Sequence, residues 1–161
     1  MDLNRRAALS LVPTPLPDPG EDVEFCSHCG TQPSGERHSR VCADCGFGLI
    51  LHTSPDAAPD EGGAFIVIDG SLSVCAVSQA AESLLAARET DAVNRHVTEL
   101  LVPADAEAQS GQNLAVAVTW AARGEEGTRT VTLRPANTFG VRLKARISSC
   151  GPPRAALIVF D

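Results

Sequence analysis

Hydrophobic and polar positions change character near residue 64. Beyond it, short apolar or alternating runs are separated by turn signals. AFIVID (64–69) is β-branched and almost wholly apolar, which predicts a buried strand. Asp69-Gly70 predicts a hairpin turn. SLSVCAV (71–77) then alternates as the second strand. Ser78 predicts the cap of a helix over SQAAESLLAAR (78–88), with Leu84 and Leu85 on its buried side. Residues 89–105 predict one or two short helical turns, the second started by Asn94 and broken by Pro103. Asp105 predicts the cap of a longer helix over 106–123, stopped at Gly124. Three strands follow. TRTVTLRP (128–135) points Val131 and Leu133 inward. VRLKARISSC (141–150) sets Val141, Leu143, Ala145 and Ile147 against Arg142, Lys144, Arg146 and Ser148. RAALIVFD (154–161) is again nearly all apolar. The order is β-β-α-α-α-β-β-β, an α+β fold.

The first 63 residues lack this rhythm. Residues 1–24 predict a flexible tail, or a short docking helix over Asn4–Val12 ahead of the Pro-rich PTPLPDPGED. Residues 52–63, HTSPDAAPDEGG, have the composition of a linker. Between them lies FCSHCGTQPSGERHSRVCADCGFG (25–48). It holds Cys26-x2-Cys29, twelve intervening residues and Cys42-x2-Cys45, with Gly30 and Gly46 directly after the pairs. A C-x-x-C turn brings two thiolates to one side of a metal, and the glycine permits backbone geometry that a side chain would obstruct. Two such turns make a tetrahedral four-sulfur site suited to Zn2+. With four protein ligands no coordination position stays open, so the expected role is structural. The polar loop between the pairs buries almost nothing, so the metal is expected to supply most of this unit's folding energy. Two disulfides would need an oxidising setting that nothing in the chain indicates. A redox C-x-x-C sits in a strand-helix setting absent here. His28, His38 and His52 are read as non-ligands.

Two resemblances sharpen the reading. The paired C-x-x-C-G over residues 25–51 resembles a zinc ribbon with rubredoxin-like knuckles. Residues 64–161 resemble a PAS domain, through AFIVIDGSLSVCAVSQAAESLLA (strand, Asp-Gly turn, strand, helix start) and NRHVTELLVPAD (short hydrophobic helix, then Pro-x-Asp). Ser78 stands where Asn is frequent in such domains, and Asn94 where Gly is. The PAS resemblance implies a five-stranded antiparallel sheet with helices on one face, in spatial order second, first, fifth, fourth, third. The first and fifth strands would then be central neighbours, apolar on both faces. Both faces must therefore be covered. The expected cover face is Ile66, Ile68, Ile158 and Phe160, or the alternate set in the other register. A second protomer, the ribbon or the N-terminal segment could cover it, and a homodimer through the sheet is the favoured expectation.

PAS domains can hold haem, flavin or metabolites, but no haem or flavin motif is found here. His96 precedes Pro103 and lies outside the long helix where a haem ligand is expected, so a capping or surface role is the default. Trp120, on the long helix, is read as a core residue, with a ligand-pocket role beside His96 as the alternative. No catalytic signature is found, so no enzyme activity is expected. No apolar run approaches a membrane span, and neither a signal peptide nor an output domain is expected. The knuckles favour a reducing, cytoplasmic setting.

The net charge is −7, and it is uneven. Residues 1–62 hold ten of the 20 acids but four of the 13 bases. Arg37, His38 and Arg40 make only a small basic spot. This argues against nucleic acid and for a protein partner of the ribbon. The expected function is a cytoplasmic signalling or regulatory adaptor with a PAS-like sensor or dimerisation domain. The alternatives are a transcription-associated regulator, whose ribbon binds nucleic acid, and a thiol/zinc redox sensor.

Overall fold

The structure is a computed structural model. It describes residues 22–33, 39–104 and 114–161. The tail up to residue 21, the loop residues Arg37 and His38 and the expected cap Asp105 lie outside the described residues.

Two short strands, β1 (Val23–Cys26) and β2 (Ile50–Thr53), form an antiparallel ribbon. The second unit follows as β3 (Phe65–Ile68), β4 (Val74–Val77), α1 (Gln79–Leu85), α2 (Glu89–Ala92), a 3-10 turn (Val97–Glu99), β5 (Leu101–Pro103), α3 (Leu114–Ala122), β6 (Arg129–Pro135), β7 (Leu143–Cys150) and β8 (Ala155–Phe160). Its antiparallel sheet runs β4-β3-β8-β7-β6-β5. The first five of these strands stand in the order that the PAS resemblance implied.

The sixth strand was not expected. Leu101–Pro103 pairs with β6, Leu101 opposite Pro135 and Pro103 opposite Leu133. Proline is tolerated there because the strand is short and at the sheet edge. Ser78 caps α1 as expected, its Oγ accepting from the Ala81 N–H at 3.2 Å. Asn94 does not start the next turn. It has φ +68°, and His96 is the cap, accepting at Nδ1 from the Thr98 N–H.

Register decides which side chains face which layer. Ile66 pairs with Ile158, and Val67 with Leu157. Because strand side chains alternate, Ile66, Ile68, Ala156 and Ile158 enter the helix-side core with Val74, Val77, Ala81, Leu114, Val118 and Ile147. Phe65, Val67, Leu157 and Val159 enter a second core on the opposite face. The expected cover face of Ile66, Ile68, Ile158 and Phe160 is therefore corrected. These four belong to the helix side, Phe160 at its margin, and the alternate set needs the cover.

The ribbon supplies that cover. Phe25 and Leu51 join Phe65, Val67, Leu157 and Val159 in the second core. The Phe25 and Phe65 rings meet edge to face at 5.5 Å, both fully buried. The ribbon is also bonded to the end of β7. His52 and Gly151 exchange backbone hydrogen bonds, and Thr53 Oγ1 donates to the Ser149 carbonyl at 2.8 Å. Within one chain no second protomer is needed on this face. A homodimer through it would have to displace the ribbon.

The stretch with linker composition is packed. Ala57 is fully buried, Asp56 accepts from Thr128 Oγ1 at 3.0 Å, and the Asp56 carbonyl accepts from Arg146. Thr130, Thr132, Arg142 and Lys144 are exposed, so this end of the sheet is wet as expected. Cys75 and Cys150 lie on β4 and β7 with β3 and β8 between them, beyond the reach of a disulfide.

Cys150 lies under the ribbon, 3% exposed. Burial, with a smaller contribution from the Cys75 charge, pushes its thiol from 9.0 up to about 12. The fold thus holds a proton that the unfolded chain releases first. This contribution is complete below pH 9 and is lost as pH climbs from 9 toward 12. Denaturant titrations from pH 7 to 10.5 should show stability falling on the alkaline side. Cys150→Ala should remove about 1 kcal/mol of that fall by pH 10. Parallel alkaline limbs in the two proteins would contradict this.

Candidate metal centre

The ribbon strands carry two faces by simple alternation. Phe25 and Leu51 are paired in register and turn toward the sheet; Cys26 and Ile50, the next pair, turn the other way. Cys26, Cys42 and Ile50 are buried together with Cys29 and Cys45 packed against them. The same short hairpin therefore ties a sulfur cluster to the sheet.

The four Sγ atoms of Cys26, Cys29, Cys42 and Cys45 all lie within 4.8 Å of one another, and no other such group of His, Cys, Asp or Glu occurs among the described residues. Cys26 and Cys45 are 3.6 Å apart, and Cys29 and Cys42 3.9 Å. All four are free thiols. Four sulfurs at about 2.3 Å from one tetrahedral ion would lie about 3.8 Å apart. The cluster thus has the dimensions of a four-thiolate metal site.

The two knuckles repeat one geometry. The Gly30 N–H donates to the Cys26 carbonyl, and the Gly46 N–H to the Cys42 carbonyl, each at 3.0 Å. The two glycines have φ +72° and +70°, the left-handed conformation that their position after each pair implied. Backbone N–H groups also point at sulfur: His28 N–H at Cys26 and Gly48 N–H at Cys45, both 3.4 Å. Such donors favour thiolate. At Cys45, burial opposes ionisation, but the Gly48 and Phe47 N–H groups and the Cys26 and Cys29 thiols outweigh it, and the pKa falls from 9.0 to about 6. At Cys26, burial dominates. The neighbouring thiols add to it, and the pKa rises to about 12 despite the Cys29 and His28 N–H groups. Without metal, one sulfur is ready to ligate while another must give up a proton.

Gly48 was not singled out by the sequence, yet it is the tightest point of the site. A Cβ there would stand 2.2 Å from Cys26 Sγ and 2.8 Å from the His28 nitrogen. Gly46 has open space around its Cα. Gly48→Ala should weaken zinc binding roughly 10- to 100-fold in competition with a chromogenic chelator, the range seen when support around a metal ligand is lost. Gly46→Asn should keep affinity near the native value. Equal affinities in the two variants would contradict the packing argument.

The first knuckle is fastened to the second unit. The His28 carbonyl accepts from the Gln79 N–H at the start of α1, at 3.1 Å. His28 Nδ1 lies 2.9 Å from Glu89 Oε2, and Glu89 Oε1 accepts from the Val77 N–H. His28 is thus a tether and not a ligand. His52 lies beside Glu24, Nε2 to Oε1 3.4 Å, away from the sulfurs. The second knuckle faces outward. Phe47 is 82% exposed, and Val41 and Leu49, partners in a β-bridge, are about half that.

Trp120 and His96 do not form a site together. His96 is exposed and bridges Ser73 beside β4. Trp120 lies under the Arg129 guanidinium, 3.5 Å from the ring centre, near the other end of the sheet. Trp120 is not a core residue either, because α3 buries Leu114, Ala117, Val118 and Ala121 and leaves Val116 and Trp120 on its outer flank.

No protein-family model matches the chain, and no curated protein matches it in sequence. Among solved structures, it is similar to the PAS domain of nitrogen regulation protein NR(II) from Vibrio parahaemolyticus. That match has 18% identity and a TM-score of 0.45, covering 68% of this chain and 98% of the other. No helix among the described residues is long and apolar enough to cross a membrane.

Proposed function

We propose that the protein is a cytoplasmic signalling or regulatory adaptor: a PAS-like sensor unit whose sheet is capped by a structural zinc ribbon that docks a protein partner. A closed set of four thiolates suits Zn2+ and leaves no position for a substrate, so the ion's role is to hold the ribbon together. The four cysteines would each give one sulfur, and no catalytic role is assigned to any residue.

The observation that carries the partner reading is the opposite orientation of the two knuckles. The first is bonded to α1 and α2, so a change in the sensor unit reaches the metal site through Gln79, His28 and Glu89. The second offers Phe47, Val41 and Leu49 to solvent. An exposed aromatic flanked by aliphatics is the chemistry of a protein-binding hot spot. Its setting in the acidic half of the chain disfavours phosphate, and Arg40, from the small basic spot, already donates to the Pro152 carbonyl.

The test is quantitative affinity purification of wild-type and Phe47→Asp protein from the native cell, with zinc content measured in both. The expected result is equal zinc and loss of a specific co-purifying protein in the variant. Retention of the same proteins by Phe47→Asp, or salt-sensitive retention of nucleic acid in place of protein, would overturn the reading.

A further inference from the structure

His28 is gripped from three sides. Its carbonyl accepts from the Gln79 N–H at the start of α1, at 3.1 Å. Its Nδ1 lies 2.9 Å from Glu89 Oε2 on α2, and the two side chains are each 26% exposed. On the third side stands the second knuckle. A Cβ at Gly48 would lie 2.9 Å from His28 Cβ, and the Phe47 ring centre is 5.9 Å from that of the imidazole. Between these fixed points the His28 N–H donates to Cys26 Sγ at 3.4 Å. A donor aimed at sulfur favours the thiolate that a metal needs. Its direction is therefore set in part by α1 and α2, which carry no metal ligand.

Glu89 makes the stronger of the two links to the second unit. Both of its carboxylate oxygens turn inward, Oε2 to His28 and Oε1 to the Val77 N–H at the end of β4. Its own N–H donates to Glu82 Oε1, which fixes the start of α2 against α1. Arg88 next to it does not draw the carboxylate outward, because Arg88 pairs with Asp91. The other knuckle supplies the comparison. Asp44 holds the matching place between Cys42 and Cys45, and it is exposed. The two knuckles share their backbone geometry, so a knuckle does not need the His28–Glu89 contact in order to form. That contact is an added link, and groups that orient the surroundings of a metal ligand tune the hold on the metal. We infer that Glu89 is a positioning residue for the metal centre. Through His28 it makes metal affinity depend on where α2 lies, and by reciprocity the metal steadies α2. This rests on the metal site of the proposed function and names how the second unit regulates it; it needs no partner at Phe47.

The test is the zinc affinity of the full chain, measured at constant pH by chelator competition. Glu89→Ala should weaken binding about tenfold, within the usual range for coupled sites, and His28→Ala by a similar factor. The double variant should bind no more weakly than either single one, because both remove the same contact. Glu89→Gln keeps an acceptor for the Val77 N–H and a donor for the imidazole, and should recover most of the loss. Asp44→Ala should bind as the native chain does. Two further readouts separate positioning from a general loss of stability. In the Co2+-loaded chain the visible d–d bands should shift in Glu89→Ala and stay in place in Asp44→Ala. In the native chain, metal removal should speed hydrogen exchange at the Ala92 and Val93 amides, which donate to the Arg88 and Glu89 carbonyls. In Glu89→Ala that difference should shrink. Native affinity in Glu89→Ala, additive losses in the double variant, or an equal loss in Asp44→Ala would overturn the inference and leave the metal site standing. A native chain that binds no zinc would overturn both.

Discussion

Stripping the metal with a strong chelator is expected to lower the thermal midpoint by about 15 °C and to make the protein self-associate. Apart from its contacts with the sheet unit, the ribbon has little of its own to hold its shape. Its own core is Cys26, Cys42 and Ile50 with the two remaining cysteines, and its connecting loop is polar. Structural zinc contributes on the order of 10 kcal/mol to such units. Without it the hairpin frays, and Phe25 and Leu51 leave the sheet. Losing those two side chains from the second core removes about 5 kcal/mol, or about 15 °C for a chain of this size. Phe65, Val67, Leu157 and Val159 are then bare. An apolar patch of that kind promotes association. Differential calorimetry with and without chelator measures the first effect, and light scattering the second. Hydrogen exchange should show β1 and β2 losing protection while β6 and β7 keep theirs. An unchanged midpoint after verified metal removal would refute this.

Phe25→Ala should cost about 3–5 kcal/mol, the range for a large buried ring truncated in a core, while leaving zinc bound. The phenyl ring is fully buried, and its edge-to-face contact with Phe65 adds about 1 kcal/mol beyond its area. The knuckle is spared because Cys26, next in the strand, points the other way. This separates the ribbon's two jobs, holding metal and covering the sheet. Phe65→Ala should cost a similar amount, and the double variant less than the sum, since both lose the same contact. Urea titrations of the four proteins, with zinc content measured on each, provide the check. Strict additivity, or loss of zinc in Phe25→Ala, would show that the two faces of the hairpin are not organised in this way.

Much of this was legible in the residues. The sulfur cluster follows from C-x-x-C-G written twice, the strands of the second unit from alternation and turns, and their spatial order from the PAS resemblance. The register was not legible. In AFIVID and AALIVF every position is apolar, so period two has no phase to read, and Ile66 cannot be told from Val67 until the layers are assembled. The cover could have been inferred from the apolar neighbours of the cysteines. Phe25 precedes Cys26, and Leu51 follows Ile50, which gives each ribbon strand one residue for the metal and one for the sheet. β5 was hidden because Pro103 reads as a helix stop, although it also suits a sheet edge. Trp120 misled because α3 is apolar nearly all round, so hydrophobicity alone could not separate its buried from its exposed flank. Gly48 left no sequence signal, since the 2.2 Å approach to Cys26 Sγ exists only once the two knuckles meet.

Native mass spectrometry of freshly purified protein, before and after chelation, tests most directly whether one metal ion fastens the ribbon over the sheet. The predicted spectrum has one zinc per chain in a narrow, low charge-state envelope. Chelation should remove that mass and shift the envelope to higher charge. A compact envelope with no metal bound, unchanged by chelator, would contradict the account.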